Sequence, residues 1–135
     1  LVIRAEDAGL VRTKLVEDDL HWDPEKVEFR DADGLTVQFL VAGSRAGKGA
    51  EVKVPVPAGE SNVELIEGLQ VLRLSRLIEM KIACGQNNLR RTHKDFADVV
   101  ELIAIRKLDG SFSRYLHKSV RPTYRELVRN ARSED

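Results

Sequence analysis

The 135-residue chain has one cysteine, Cys84, and three histidines, His21, His93 and His117, far apart in sequence. A single thiol excludes an intramolecular disulfide and any multi-thiolate zinc site, which fits a reducing compartment, and scattered imidazoles write no ligand cluster. No apolar run approaches the ~18 residues that a membrane span requires, and the N-terminus lacks the basic, apolar, small-residue order of a secretory signal. A cytoplasmic location without membrane insertion is therefore expected. Net charge is also missing, because 22 Lys plus Arg offset 22 Asp plus Glu, so the chain as a whole does not call for a polyanionic partner. The chain opens on Leu1-Val2-Ile3 and its one methionine is Met80, which points to a start inside a longer reading frame or a non-standard start.

What is present is 42% hydrophobic and 33% charged sequence, enough for one domain, residues 1–135, with an ordinary core. The zero net charge hides a polarity. Residues 1–67 hold 14 acids and 8 bases, a net of −6, while residues 68–135 hold 8 acids and 14 bases, a net of +6. A neutral chain with a basic half can still bind an anionic ligand there, RNA included.

Residues 1–72 read as the strand-rich part. Leu1-Val2-Ile3 is the end of a buried strand, and a short helix over 5–16 comes next, with Glu6 and Asp7 in its first turn and Ala8, Val11 and Leu15 as its inward stripe. Residues 26–30 alternate strictly, Asp31-Ala32-Asp33-Gly34 is turn chemistry, and 35–41 alternates again, predicting a β-hairpin. Residues 44–50 are a flexible loop. Val52, Val54 and Val56 alternate with Lys53, Pro55 and Pro57, an edge strand at most. Residues 65–72 can add a strand that turns at Gly68.

Residues 73–135 read as helical. Ser75 is expected to cap a helix running to Ala83, Gly85 to stop it, and 86–91 to form a polar connector. Thr92-His93-Lys94-Asp95 resembles a capping box that opens a second helix to about Lys107. Two short helices, 112–118 and 122–132, complete the chain, with Pro122 at a first helical position and 133–135 frayed. Strands before helices make a segregated α+β layout.

Few residues carry candidate chemistry. The 43–49 loop is one residue short of a phosphate-loop spacing and lacks its Ser or Thr. Cys84 has no histidine near it in sequence and reads as a small core residue. Lys81 is more informative, because it lies inside the stripe made by Leu74, Leu77, Ile78 and Ile82. Its ammonium must reach water along the surface or pair with a carboxylate, since a lone buried charge costs several kcal/mol. Asp95 and Asp98 are the candidate partners, on the next helix and three residues apart; Asp95 already has the cap of Thr92 to serve, so Asp98 is the better match. Near the C-terminus, Arg121, Arg125 and Arg129 recur every four residues as a basic stripe, either a solvated face or a set of RNA or phosphate contacts.

The segments Val71-Leu72-Arg73-Leu74-Ser75-Arg76-Leu77-Ile78-Glu79-Met80-Lys81-Ile82 and Arg91-Thr92-His93-Lys94-Asp95-Phe96-Ala97-Asp98-Val99-Val100 resemble the "L-x-x-L-I-x-L-K-L … (R/K)-D-x-x-D-V" signature of small bacterial nucleotidyltransferase-fold proteins, among them toxins of abortive-infection and toxin–antitoxin systems. Leu35 to Gly43 resembles their "V-D-F-L-x-x-G" strand, and Leu1 to Asp7 resembles the segment directly after their "T-x-D-x-D" strand. The resemblance implies a mixed β-sheet in the N-terminal half packed with a C-terminal helical portion. It also implies that Lys81, Asp95 and Asp98 are the matching catalytic-site residues, with Lys81 touching nucleotide. In that family, three carboxylates hold magnesium and a nucleoside triphosphate. Here the D-x-D strand would precede Leu1, and Gln38 stands at the position of the third acid. A neutral amide cannot supply the charge a hard magnesium site draws from carboxylates, so no cofactor is expected of this chain, and Mg²⁺ only where the missing acids are supplied.

The expected function is thus a truncated or catalytically impaired nucleotidyltransferase-like domain that retains affinity for nucleotide or RNA. One alternative is an active nucleotidyltransferase in a longer chain. Another is a non-catalytic module that forms a homodimer through an uncovered sheet edge.

Overall fold

A computed structural model of the chain describes residues 1–25 and 28–133. The architecture is mixed α+β, with small strands in the first half and helices dominating the second. Among the described residues the strands form three small sheets instead of one mixed sheet. β1 (Val2–Ile3) pairs in parallel with β5 (Leu40–Val41). Between them run a 3₁₀ turn, Ala5–Asp7, and helix α1 (Ala8–Glu17). Ala8, Val11 and Leu15 are the inward-facing positions of α1, although each is only half-buried. β1 is likewise only half-buried, and Leu1 just before it is 77% exposed.

The second sheet has the order β2-β3-β4, all antiparallel: β2 (His21–Asp23), β3 (Glu28–Arg30) and β4 (Thr36–Val37). The hairpin expected about Asp31 and Gly34 is there, closed by Asp31 Oδ1 accepting from the Asp33 and Leu35 amides. Its second arm does not run unbroken to Val41; it ends at Val37, and Leu40–Val41 turns to β1. The part of its first arm at Lys26 and Val27 lies outside the described residues. β2 was not legible as a strand, and its Trp22 packs on Phe29 with ring centroids 5.0 Å apart.

β6 (Val63–Ile66) and β7 (Leu69–Leu72) form a separate antiparallel ribbon. Its two turn residues, Glu67 at φ 52° and Gly68 at φ 82°, both take the left-handed conformation of the primed turns that match strand twist. Val52 and Val54 are buried between the exposed Glu51 and Lys53, but the alternation ends there, because Val56 is 50% exposed while Pro55 and Pro57 are half-buried. Only an isolated bridge, Arg45 to Lys53, forms there.

The core belongs to the helices. α2 (Leu74–Asn87) and α3 (Thr92–Arg106) pack as neighbours, and α4 (Arg121–Ser133) closes over them with Tyr124, Leu127, Val128 and Ala131 buried against Ile78, Ile82, Val99 and Ile103. Tyr124 is fully buried and its hydroxyl donates to the Asp109 carbonyl at 2.7 Å, which satisfies a polar group that would otherwise be costly there. Burial and the nearby Asp109 charge push its phenol up to about 12. The two short segments before α4, Gly110–Tyr115 and Lys118–Val120, are 3₁₀ turns, not α-helix.

Two helix boundaries differ from expectation. α2 begins at Leu74 with Arg73 as its N-cap residue and no side-chain cap, so Ser75 does not cap it. Nor does Gly85 end it: the helix passes through Gly85 to Asn87. The glycine is explained by packing, because a Cβ there would meet Phe96 Cε1 at 2.5 Å. Likewise, Thr92 caps nothing. Its hydroxyl donates to the Gly85 carbonyl at 2.7 Å and to that of Asn88 at 3.2 Å, tying the start of α3 to the end of α2. No helix among the described residues is long and apolar enough to cross a membrane.

Candidate functional site

The close approach of Phe96 to Gly85 brings the second half of α2 against the first two turns of α3, and this juxtaposition assembles a charged chain. Lys81 Nζ lies 2.9 Å from Asp98 Oδ2 and 3.9 Å from Asp95 Oδ1. Asp95, only 1% exposed, also takes the Arg91 guanidinium, with Nη2 at 3.2 Å from Oδ1 and Nε at 3.4 Å from Oδ2. The order is Asp98, Lys81, Asp95, Arg91: two carboxylates and two cations that neutralise one another.

Lys81 therefore resolves its position on the apolar stripe by pairing, with a side chain 25% exposed. Asp98 is its close partner. Asp95 is an ion-pair residue for Arg91 and Lys81, and the structure gives it no bond back to Thr92. The hydrogen bond from Lys81 holds the Asp98 carboxyl below the usual aspartate range. Burial first, and the Asp95 carboxylate second, push the Cys84 thiol up, which keeps it protonated and poorly nucleophilic. The hydrogen bond to Asp95 raises the Arg91 guanidinium further above its already high value.

These side chains wall a cavity of about 400 Å³. Lys81, Cys84, Arg91 and Asp95 form one side; Gln38 and residues 45–47 form the other. The 44–50 loop is docked there, not free. The Gly43 amide donates to the Val54 carbonyl at 2.9 Å, the Ala46 amide to that of Val52 at 2.9 Å, and Arg45 Nη1 to that of Ala50 at 3.0 Å. Gly47 is pressed onto α2 so closely that a Cβ would sit 3.0 Å from the Ala83 carbonyl oxygen. The loop thereby presents Arg45 to the cavity as a third cation.

Sequence reasoning missed several polar residues that organise this region. Arg45 and Arg91 carried no role because neither belongs to a periodic pattern. Glu28, 8% exposed, pairs with Arg30 at 2.8 Å and accepts from Gln38 Nε2 at 3.3 Å, so a carboxylate lies beside the Gln38 amide. Glu79 is 6% exposed. It takes Arg76 Nη1 at 3.1 Å and, through Oε2, the His117 amide at 2.6 Å, and so fastens α2 to the turn that leads into α4. Arg76-x-x-Glu79, one helical turn apart inside an apolar segment, is the signal that could have found it.

The C-terminal arginines are elsewhere, and none of them lines this cavity. Arg125 and Arg129 are exposed on α4, while the half-buried Arg121 donates Nε to the Leu116 carbonyl at 3.0 Å. The stripe thus contains one structural arginine and two free in solvent. Chemically, the cavity combines an apolar wall of Leu1, Leu40, Val54, Leu77 and Met80 with the cations Lys81, Arg91 and Arg45 and the acid Asp95, while Asp98, 38% exposed, is free to yield its lysine to a competing anion. No group of three or more His, Cys, Asp or Glu side chains that could hold a metal occurs among the described residues. No family model, no curated protein and no solved structure matches the chain.

Proposed function

We propose that the chain is a nucleotidyltransferase-like domain, impaired in transfer, that binds the phosphates of a nucleoside triphosphate in the Lys81 cavity. The observation that carries this reading is the meeting of Lys81, Arg91 and Arg45 around one space of about 400 Å³ whose sole acidic lining residue is Asp95. Preorganised cations in a partly desolvated cavity attract phosphate far more strongly than the same cations in water. The phosphate would take Lys81 from Asp98, while Asp95 keeps Arg91 in position. Gln38 cannot hold magnesium as a carboxylate would, and the carboxylate beside it, Glu28, is already paired with Arg30. Arg125 and Arg129, with Arg121, offer backbone contacts to an RNA partner along α4, a salt-sensitive contribution.

Titration calorimetry with ATP tests the reading. Lys81→Ala should weaken binding by roughly tenfold, about 1.4 kcal/mol, while circular dichroism remains that of a folded chain. Unchanged affinity in a folded Lys81→Ala protein would reduce the Lys81 network to a structural ion pair.

A second reading is favoured by the β6–β7 ribbon, whose Leu65 and Leu69 are 73% and 69% exposed. A lone two-stranded ribbon with apolar side chains in water is a template for association. Self-association through it predicts a dimer in light scattering at micromolar concentration, and a monomer at all concentrations would dismiss it.

A further inference from the structure

A second cavity, of about 500 Å³, opens where the foot of the β6–β7 ribbon, the first turn of α2, the end of α3 and the 3₁₀ segment Gly110–Tyr115 meet. It shares no lining residue with the Lys81 cavity. Three arginines line it, Arg73, Arg76 and Arg106, against one acid, Glu64, together with Ser75 and the rings of Phe112 and Tyr115. Cations brought this close repel one another unless something negative offsets them.

The offsets present are incomplete. Arg76 gives Nη1 to Glu79, and its Nε, shut off from solvent, has no acceptor among the described residues. Arg73 pairs loosely with Glu64 at 3.6 Å, both side chains being over 40% exposed, and also donates Nε to the Glu60 carbonyl. Arg106 ends α3 exposed to solvent, without a carboxylate partner among the described residues. The first turn of α2 adds to the positive field, as it carries neither an acidic residue nor a side-chain cap. Beside these cations lie two aromatic rings, Phe112 and Tyr115, with centroids 5.5 Å apart and planes at 62°, and Tyr115 is 53% exposed. Arg114 already lies over the Tyr115 ring, at 4.9 Å from its centroid.

Phe112 also packs on Tyr124, so the half-exposed Tyr115 is the ring within reach, and cations beside such a ring match a phosphate joined to a planar base. We infer that this cavity is a second, separate site for a nucleoside monophosphate group, either a free nucleotide or the 5′-phosphorylated end of an RNA. Its phosphate lies among Arg73, Arg106 and Ser75, and its base lies against Tyr115. The site stands whether or not the Lys81 cavity takes nucleotide, because the two share no residue.

Residue-resolved NMR of the full chain at low ionic strength tests the site, with AMP, adenosine, inorganic phosphate and a short oligoadenylate with or without a 5′-phosphate as probes. AMP should move the amide signals of Ser75 and Arg76 and the ring signals of Phe112 and Tyr115 together. Adenosine and inorganic phosphate should each bind at these signals at least about tenfold more weakly than AMP. Arg106→Gln, an exposed change that leaves the fold intact, should weaken AMP by about tenfold at the same signals, and added salt should do likewise. A preference for the 5′-phosphorylated oligonucleotide over AMP identifies an RNA end as the source, and the reverse identifies the free nucleotide. The proposal is overturned if AMP shifts are confined to the Lys81 cavity, if a folded Arg106→Gln protein binds AMP unchanged, or if inorganic phosphate binds as tightly as AMP.

Discussion

Loss of the Glu79 side chain should damage stability well beyond an ordinary surface change. Its carboxylate receives Arg76 Nη1 at 3.1 and 3.3 Å and the His117 amide at 2.6 Å, with the residue 6% exposed. Glu79→Leu would remove all of these contacts. The His117 N–H then loses its acceptor, at about 1–3 kcal/mol, and Arg76 loses its counter-charge, for which breaking a buried pair suggests about 3–5 kcal/mol. The Arg76 side chain is 31% exposed, so water recovers much of the second loss, and a total near 3 kcal/mol is expected. Glu79→Gln keeps an acceptor for His117 but turns charge-assisted bonds into neutral ones of roughly half the strength, so about 1.5 kcal/mol is expected. Replacing both partners, as in Arg76→Met with Glu79→Leu, should recover part of the loss, since a buried pair exchanged for apolar side chains is often near neutral. Urea unfolding monitored by far-ultraviolet circular dichroism measures all four proteins. At a slope of about 1–3 kcal/mol per molar, Glu79→Leu should lower the midpoint by more than about 1 M. Single variants within about 0.5 kcal/mol of the parent would refute the claim that Glu79 fastens α2 to the α4 turn.

Gly85→Ala sets a helix-propensity gain of about 0.5–1 kcal/mol against a Cβ placed 2.5 Å from the Phe96 ring, and overpacking of about 1–3 kcal/mol should win. The expected result is a melting temperature lower by a few degrees, whereas a rise would mean that Phe96 yields without loss. The Lys81–Asp98 pair should also leave a signature in acid. Because the folded-state pKa of Asp98 is depressed, its contribution is complete above the ordinary aspartate value of about 4 and fades as the pH falls below it. The difference in urea midpoint between the parent and Lys81→Met should therefore shrink between about pH 6 and pH 2.5, and a constant difference would exclude the pair as its source.

Much of the element order was readable because it rests on local chemistry. The 31–34 turn, the Glu67-Gly68 reversal and the extent of α3 each arise from side-chain period or from turn residues whose backbone preferences act over a few positions. Helix ends were read less well. Ser75 and Thr92 are good caps in isolation, yet Arg73 starts α2, and Thr92 uses its hydroxyl to reach the Gly85 carbonyl, a bond that exists only once α2 and α3 pack. Gly85 looked like a stop because glycine usually is one; its close contact with a ring 11 positions later in sequence is invisible to local pattern. The site was half legible. Lys81 declared itself by breaking an apolar stripe, and Asp98 by lying on the next helix. Arg45, Arg91, Glu28 and Glu79 gave no such signal, because their partners come from the fold.

Short-range energetics already present in the amino-acid order govern the largely strand-then-helix layout, the polarity of charge between residues 1–67 and 68–135, and the demand that Lys81 find a carboxylate or water. Which cations share a cavity depends instead on long-range packing. Electrostatic energy depends on distance in space and on exclusion of water, so the docking of residues 44–50 on α2 joins Arg45 to Lys81 and Arg91. The same packing leaves Arg121 tied to a backbone carbonyl while Arg125 and Arg129, spaced identically in sequence, stay in solvent.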